Sequence, residues 1–253
     1  MGKIGFCDIK NFALRVWLIT MIAAVVQVVM AQDDVEYRYD IGAGVVATTY
    51  YGDFNSRLMG NIQPGGAAMF RKIINPRSAV RLSGMVTKVK GSYDKALTDY
   101  PDIDEAGGYE FNSTIGDLSA MYEYNFWAFG TGHDYRGAQR IAPFISLGVG
   151  LTYVSSSTEM YDYTNPQPQS STKSLVSANV PIGFGVKFRV KDRLNVTVDW
   201  QMHFSLTDQL DGVKDPYRVK SNGIFKNTDC YSTLMVALTY CFSAKCPTCM
   251  KDR

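Results

Sequence analysis

The sequence predicts an all-β fold, namely an eight-stranded antiparallel transmembrane β-barrel of outer-membrane type with short periplasmic turns and long external loops. Three observations predict it: an N-terminal leader for export, about eight β-rich runs, and connections that alternate between long and short. Each run is long enough to cross a bilayer as a tilted strand of ~9 to 11 residues, whereas no segment after the leader approaches the ~20 apolar residues of a spanning helix.

The first 31 residues form the predicted signal peptide. Three basic residues precede an apolar run at 16–29, and small side chains at 29–31 stand where a signal peptidase cuts. The alternative is a retained membrane anchor, which the shortness of the run and its two polar interruptions disfavour. We therefore expect 1–31 to be removed and 32–38 to be a short periplasmic segment before the barrel.

The composition of the chain excludes some classes of partner. The formal net charge is only +2, and charges of both signs are scattered along the sequence. A nucleic-acid-binding protein would need a concentrated Lys/Arg face, so we expect no nucleic-acid partner. The length left after the leader suits one barrel domain, predicted at 39–242, followed by a periplasmic tail at 243–253.

The β-rich runs follow one another with no competing helical period. They lie at 39–51, 65–74, 78–90, 111–127, 142–154, 178–190, 194–207 and 231–242. In the sixth and seventh runs the apolar residues fall on every second position, as the two faces of a pleated strand require. The apolar face of the sixth run consists of Val180, Ile182, Phe184, Val186, Phe188 and Val190.

Alternation alone does not say which face points into the barrel. A soluble lipocalin-like barrel with an apolar interior is the alternative to a membrane barrel with an apolar exterior. Charged residues on the polar face and aromatic residues near the run ends, as at 122–127, favour the membrane barrel. Because eight strands leave room only for side chains, we expect a paired interior network and no open pore. Its predicted members are Arg81, Asp117, Glu123, Lys187, Arg189, Asp199 and His203.

The connections between the runs alternate in length. Long segments follow the first, third, fifth and seventh runs, at 52–64, 91–110, 155–177 and 208–230. Shorter segments follow the second, fourth and sixth runs, including tight turns at 75–76 and 191–193. Outer-membrane barrels place short turns in the periplasm and long loops outside, so both termini are expected in the periplasm.

A search for chemistry finds no catalytic, cofactor-binding or metal-binding constellation. His203 stands alone on a polar strand face, where a core hydrogen bond is the expected role, and His133 lies in a sparse turn. The enzymatic alternative is a rim hydrolase or acyltransferase using Asp208 and Asp211, but no histidine stands beside them. We therefore expect no enzyme, no cofactor and no small-molecule substrate.

The cysteines of the mature chain are Cys230, Cys241, Cys246 and Cys249. The first two lie at opposite ends of the last run, roughly 36 Å apart at ~3.3 Å per residue, and cannot bond to each other. The C-x-x-C pair lies in the tail, where a local disulfide, a link to a periplasmic partner and free thiols all remain open.

Several short motifs occur in a specific order along the barrel. They are Tyr50-x-Gly52-Asp53-Phe54-Asn55, Arg71, Arg81, Phe111-x-x-x-Ile115-x-Asp117-Leu118, Glu123-x-Asn125-Phe126, Pro143-Phe144, Pro181-Ile182-Gly183-Phe184-Gly185-Val186-Lys187 and Phe204-x-Leu206-Thr207-Asp208-x-Leu210-Asp211. Together they resemble the PorG-type proteins, the small outer-membrane component of the type IX secretion system of Bacteroidota. The resemblance covers nearly the whole barrel.

This resemblance implies a non-catalytic protein of the cell outer membrane, in contact with its lipid, that anchors the periplasmic ring of the PorK lipoprotein and PorN. As a hypothesis, the ring contacts the short turns and the tail, with candidate contacts at Asn75, His133, Lys191, Arg193, Cys246 and Cys249. The alternative is a free-standing structural or adhesive barrel that binds outside the cell through its long loops.

Overall fold

The computed structural model describes residues 37–51, 61–92, 109–129, 139–162, 165–207 and 230–244. These residues form one closed antiparallel barrel in which each strand pairs with its neighbours in sequence and the last strand pairs with the first. The predicted fold class is confirmed. The strands are β1 (Tyr37–Tyr51), β2 (Gln63–Asn75), β3 (Ser78–Ser92), β4 (Tyr109–Asn125), β5 (Ile141–Asp162), β6 (Asn165–Lys191), β7 (Leu194–Ser205) and β8 (Cys230–Ala244). Within the described ranges, no helix is long and apolar enough to cross a membrane.

The wall of the barrel is apolar and its interior is polar. On the outside, Val45 and Val149 are 69% and 67% exposed, whereas the lumen-facing Arg81 and Glu123 are completely buried. A polar interior with an apolar exterior is the arrangement that lipid requires, because hydrocarbon cannot solvate polar side chains. The alternative of a soluble barrel with an apolar interior does not fit this structure.

Most strand boundaries differ from those of the predicted runs by one or two residues. The barrel begins at Tyr37 and ends at Ala244, two residues beyond the predicted limits at each end. β4 ends at Asn125 instead of continuing to Trp127.

The largest difference concerns 155–177, which was predicted as a loop. β5 and β6 extend into it and pair from Ser155 opposite Ser174 to Glu159 opposite Ser170. The prediction of a loop was wrong because the segment is rich in Ser and Thr and has no apolar alternation, although its backbone can still form ladder hydrogen bonds.

Three connections and both ends of the barrel lie at one rim, here called the turn rim. The opposite end, at Tyr51, Ser92 and Tyr109, is the far rim. At the turn rim, Asn125 N–H donates to Arg77 O at 2.7 Å and Asn125 Nδ2 donates to Pro76 O at 3.0 Å, which ties β4 to the β2–β3 turn.

The side chain of Asn75 is part of this turn. Its Oδ1 accepts the Arg77 N–H at 2.9 Å, and the residue is only 3% exposed. The expectation that Asn75 faces a partner is therefore wrong, because the turn uses the amide to satisfy its own backbone.

Candidate functional site: the barrel interior and the turn rim

The part of the lumen nearest the turn rim holds an ion-pair cluster around Glu123. The two carboxylate oxygens of Glu123 lie 2.8 Å from Arg71 Nε, 3.1 Å from Arg81 Nη1 and 2.6 Å from Lys187 Nζ. All four residues are buried. Glu123 is therefore the hub that brings together cations from β2, β3 and β6.

Two further carboxylates complete the cluster. Asp40 lies 2.6 Å from Arg71 Nη1, and Asp199 lies 2.7 Å from Arg81 Nη1. The three cations and three carboxylates give this part of the lumen no formal net charge. A buried charge that lost its partner would be costly, so the cluster is stable only as a matched set.

The register of the strands explains why Glu123 is needed. Arg71 and Arg81 are direct partners across β2 and β3, where two like charges would repel. Glu123 on β4 contacts both guanidinium groups and offsets that repulsion. Lys187 also lies 4.7 Å from the centre of the Phe144 ring and donates to Asn125 Oδ1 at 2.9 Å, so the strand neighbours hold its ammonium in place.

The structure brings together most of the predicted polar residues and adds two. Glu123, Arg81, Lys187 and Asp199 lie in one cluster. Arg189 shares the lumen-facing side of β6 but is only half-buried at the turn rim. Asp40 and Arg71 were not predicted to belong to the interior network, although each is a charged residue on the lumen side of its strand.

Asp117 forms the centre of a second buried cluster, which lies farther from the turn rim than the Glu123 cluster. It accepts hydrogen bonds from Ser119 Oγ, from Thr152 Oγ1 at 3.0 Å, from Tyr231 OH at 2.9 Å and from Asn179 Nδ2 at 2.5 Å. Four donors therefore satisfy the oxygens of this buried side chain.

His203 lies beside this cluster but does not complete a catalytic site. Its ring stacks on Tyr231 with centroids 4.4 Å apart, and its Nδ1 is 3.9 Å from Asp117 Oδ2. The enclosed cavity that His203 and Asp117 line has a volume of about 10 Å³. That is room for about one water molecule.

Side chains occupy the described part of the interior. Within the described ranges, no group of three or more His, Cys, Asp or Glu side chains could hold a metal ion. An apolar layer at Val46, Met69 and Met235 also occupies the lumen. Side chains fill the cross-section, as expected for eight strands.

At the turn rim, Lys191 and Arg193 differ in what their side chains contact. Lys191 is exposed. Arg193 lies against the outer wall, with Nε donating to Tyr37 OH at 3.0 Å and Nη1 donating to Tyr240 OH at 3.4 Å. Hydrogen bonds to Tyr240 and Tyr37 raise the pKa of Arg193 above its usual value, so the guanidinium stays charged.

The other candidates fall outside the described residues. They are His133, Cys246, Cys249, Asp208, Asp211 and the predicted leader at 1–31. Cys230 and Cys241 do lie near opposite ends of β8, and Cys241 Sγ accepts a hydrogen bond from Asn195 Nδ2 at 3.2 Å.

A closed antiparallel barrel with an apolar wall and an ion-paired lumen defines the class: a small β-barrel of the outer-membrane type. The profile of one family, described as a domain of unknown function (DUF6089), matches residues 16–251. The chain belongs to this family. No curated protein matches it.

Solved structures with similar chain traces come from several bacteria. The attachment invasion locus protein Ail of Yersinia pestis is 14% identical, with 82% of this chain and 99% of that chain covered and a TM-score of 0.46. Neisserial surface protein A is 11% identical, with coverages of 81% and 97% and a TM-score of 0.47. A major outer membrane protein of Thermus thermophilus is 15% identical, with coverages of 81% and 99% and a TM-score of 0.48. At these values the likeness carries no inference about function.

Proposed function

We propose that the protein is a non-catalytic outer-membrane component of the type IX secretion system, which anchors the periplasmic PorK/PorN ring at the membrane. The observation that carries this proposal is the filled lumen, joined to the ordered motifs that resemble the PorG-type proteins. A barrel filled by the Glu123 and Asp117 clusters has no path for cargo, so its contribution to secretion is through its surfaces.

The turn rim is the proposed surface for the ring. In an outer-membrane barrel the short turns face the periplasm, so the turn rim would lie on the side of the proposed ring. The described part of this rim exposes the cations Arg140 and Lys191. Hydrogen bonds between the β2–β3 turn and β4 fix the backbone there, so a partner would meet a preformed surface.

Mild-detergent affinity purification followed by mass spectrometry tests this proposal. The tagged protein should recover the ring lipoprotein and its periplasmic partner from outer membranes. The double variant Arg140→Glu/Lys191→Glu should recover much less of both, because reversing rim charges weakens association with a complementary surface. The control Lys173→Glu reverses an exposed charge on β6 beyond the far rim and should leave recovery unchanged. A wild-type barrel that is purified alone would contradict the secretion role.

The second candidate function is a free-standing adhesive barrel, and the β5–β6 hairpin favours it. β7 pairs with β6 only as far as Asn179 opposite Ser205, so among the described residues no strand pairs with that edge of β6 above Ala178. An unpaired strand edge offers backbone hydrogen bonds to an added strand. Deleting the hairpin tip should then abolish external binding and spare secretion.

A further inference from the structure

We infer that the outer wall at the turn rim binds the phosphate headgroup of an anionic phospholipid, through Arg193 and Lys72. This inference rests on the proposed membrane location, but not on the secretion role. The surface, here called the headgroup patch, spans four adjacent strands and consists of Arg193, Tyr240, Phe242, Tyr37, Tyr39, Phe70 and Lys72.

The centre of the headgroup patch is aromatic. The Tyr39 ring stacks on Phe70 and on Phe242, with centroids 5.7 Å and 5.9 Å apart. These rings are on the outer wall, since the neighbouring residues Asp40 and Arg71 point into the lumen. Aromatic rings of this kind occupy the boundary between hydrocarbon and headgroups in membrane barrels.

A cation stands on each side of the aromatic centre. Lys72 is the direct cross-strand partner of Tyr39, and it is exposed. It makes no ion pair with any residue in the part of the chain that the structure describes. On the other side, Arg193 reaches across β8 to Tyr37 on β1. Three strand spacings, or about 14 Å, separate the β7 and β2 backbones.

The guanidinium of Arg193 is held in a fixed orientation in which it can bind an anion. Its Cζ lies over the Tyr37 ring, 5.2 Å from the centroid, while Nε and Nη1 donate to two phenol oxygens. Those contacts fix its orientation without neutralising its charge and leave the Nη2 donors for another acceptor. A planar guanidinium with free donors matches a phosphate, and the ammonium of Lys72, on the other side of the aromatic centre, adds a second positive charge.

The position of these side chains favours lipid over an acidic protein. Tyr240 is 45% exposed, Phe70 is 40% exposed and Phe242 is 37% exposed, all on the wall that faces hydrocarbon just inside the headgroup layer. A soluble partner docking end-on at the turns would meet Lys191 and Arg140 instead. Asp192, in the turn beside Arg193, is an exposed acidic residue, and Asp40, beside Tyr39, is paired with Arg71 in the lumen.

Native mass spectrometry of the purified full-length protein with added phosphatidylglycerol tests the headgroup patch, with phosphatidylcholine as the zwitterionic reference. The wild type should retain phosphatidylglycerol preferentially. A basic side chain near an anionic lipid surface contributes about fivefold in affinity, so Arg193→Gln/Lys72→Gln should bind about 30-fold more weakly. The variant Arg193→Lys keeps the positive charge, so it should bind phosphatidylglycerol more tightly than the double variant but more weakly than the wild type.

The matched control is Lys88→Gln/Lys90→Gln, which removes two exposed charges from β3 near the far rim. It should retain phosphatidylglycerol as the wild type does. Equal retention by the Arg193/Lys72 variant, or equal loss in the control, would overturn the inference. The inference would also be overturned if the Arg193/Lys72 variant retained phosphatidylglycerol but lost an acidic protein partner.

The outcome can be separated from failure of the proposed function. Heat-modifiable migration of each variant shows that the barrel is folded, and fractionation of cells shows whether the wild type is in the outer membrane. If lipid retention depends on Arg193 and Lys72 but no ring protein is recovered, the lipid-binding inference is supported and the proposed secretion role is contradicted. A wild type found outside the membrane fraction would instead remove the basis of both.

Discussion

Glu123→Gln is expected to lower the free energy of unfolding by about 3–5 kcal/mol, because it leaves buried cations without their shared carboxylate. Glutamine has nearly the shape of glutamate, so the change tests charge and not packing. Arg71, Arg81 and Lys187 would then face only Asp40 and Asp199. Urea unfolding of the barrel in detergent, followed by its heat-modifiable migration, measures the loss.

The matched control for Glu123→Gln is Glu110→Gln, at an exposed position of β4 near the far rim. This control should change stability by no more than about 0.5 kcal/mol. The double variant Glu123→Gln/Lys187→Gln removes one charge of each sign and should recover part of the stability lost by the single variant. Equal urea midpoints for Glu123→Gln and the wild type would show that the cluster does not support the barrel.

Val149→Arg is expected to destabilise the inserted barrel by about 2–4 kcal/mol, the cost of an arginine on the lipid face near the bilayer midplane. Val149 points outward and lies at the middle of an apolar row that runs along β5 from Ile141 to Tyr153. Unfolding in phospholipid vesicles measures the effect.

The comparison for Val149→Arg is Ser157→Arg, on the same face of β5 and nearer its end. An arginine near the membrane boundary costs only about 0–1 kcal/mol, because its side chain reaches the headgroups. If both variants unfold at the same urea concentration as the wild type, the wall of the barrel does not face hydrocarbon.

The fold could be predicted because its main signals are local. The second half of β6, at 178–190, and all of β7 alternate apolar and polar residues, and short turns force neighbouring strands to pair. The 155–177 segment escaped prediction because its pairing comes from backbone hydrogen bonds, which leave no mark in a Ser/Thr-rich sequence.

The site could be predicted only in part because its contacts depend on register and barrel closure. Charged residues on the lumen side of β4 and β6 identified Glu123 and Lys187 as interior groups. Asp40 lies among the small residues of β1, where both faces look alike, so its side could not be assigned. Arg193 meets Tyr37 across 156 positions of sequence, a contact that exists only because β8 closes on β1.

Site-specific photocrosslinking in intact cells tests the central claim, that the turn rim holds a periplasmic partner, most directly. A photoreactive amino acid at Lys191 should capture a ring protein of the periplasm, whereas the same group at Ser157, near the opposite end of the barrel, should not. Capture only from Ser157, or of extracellular material alone, would contradict the account and support the adhesive barrel.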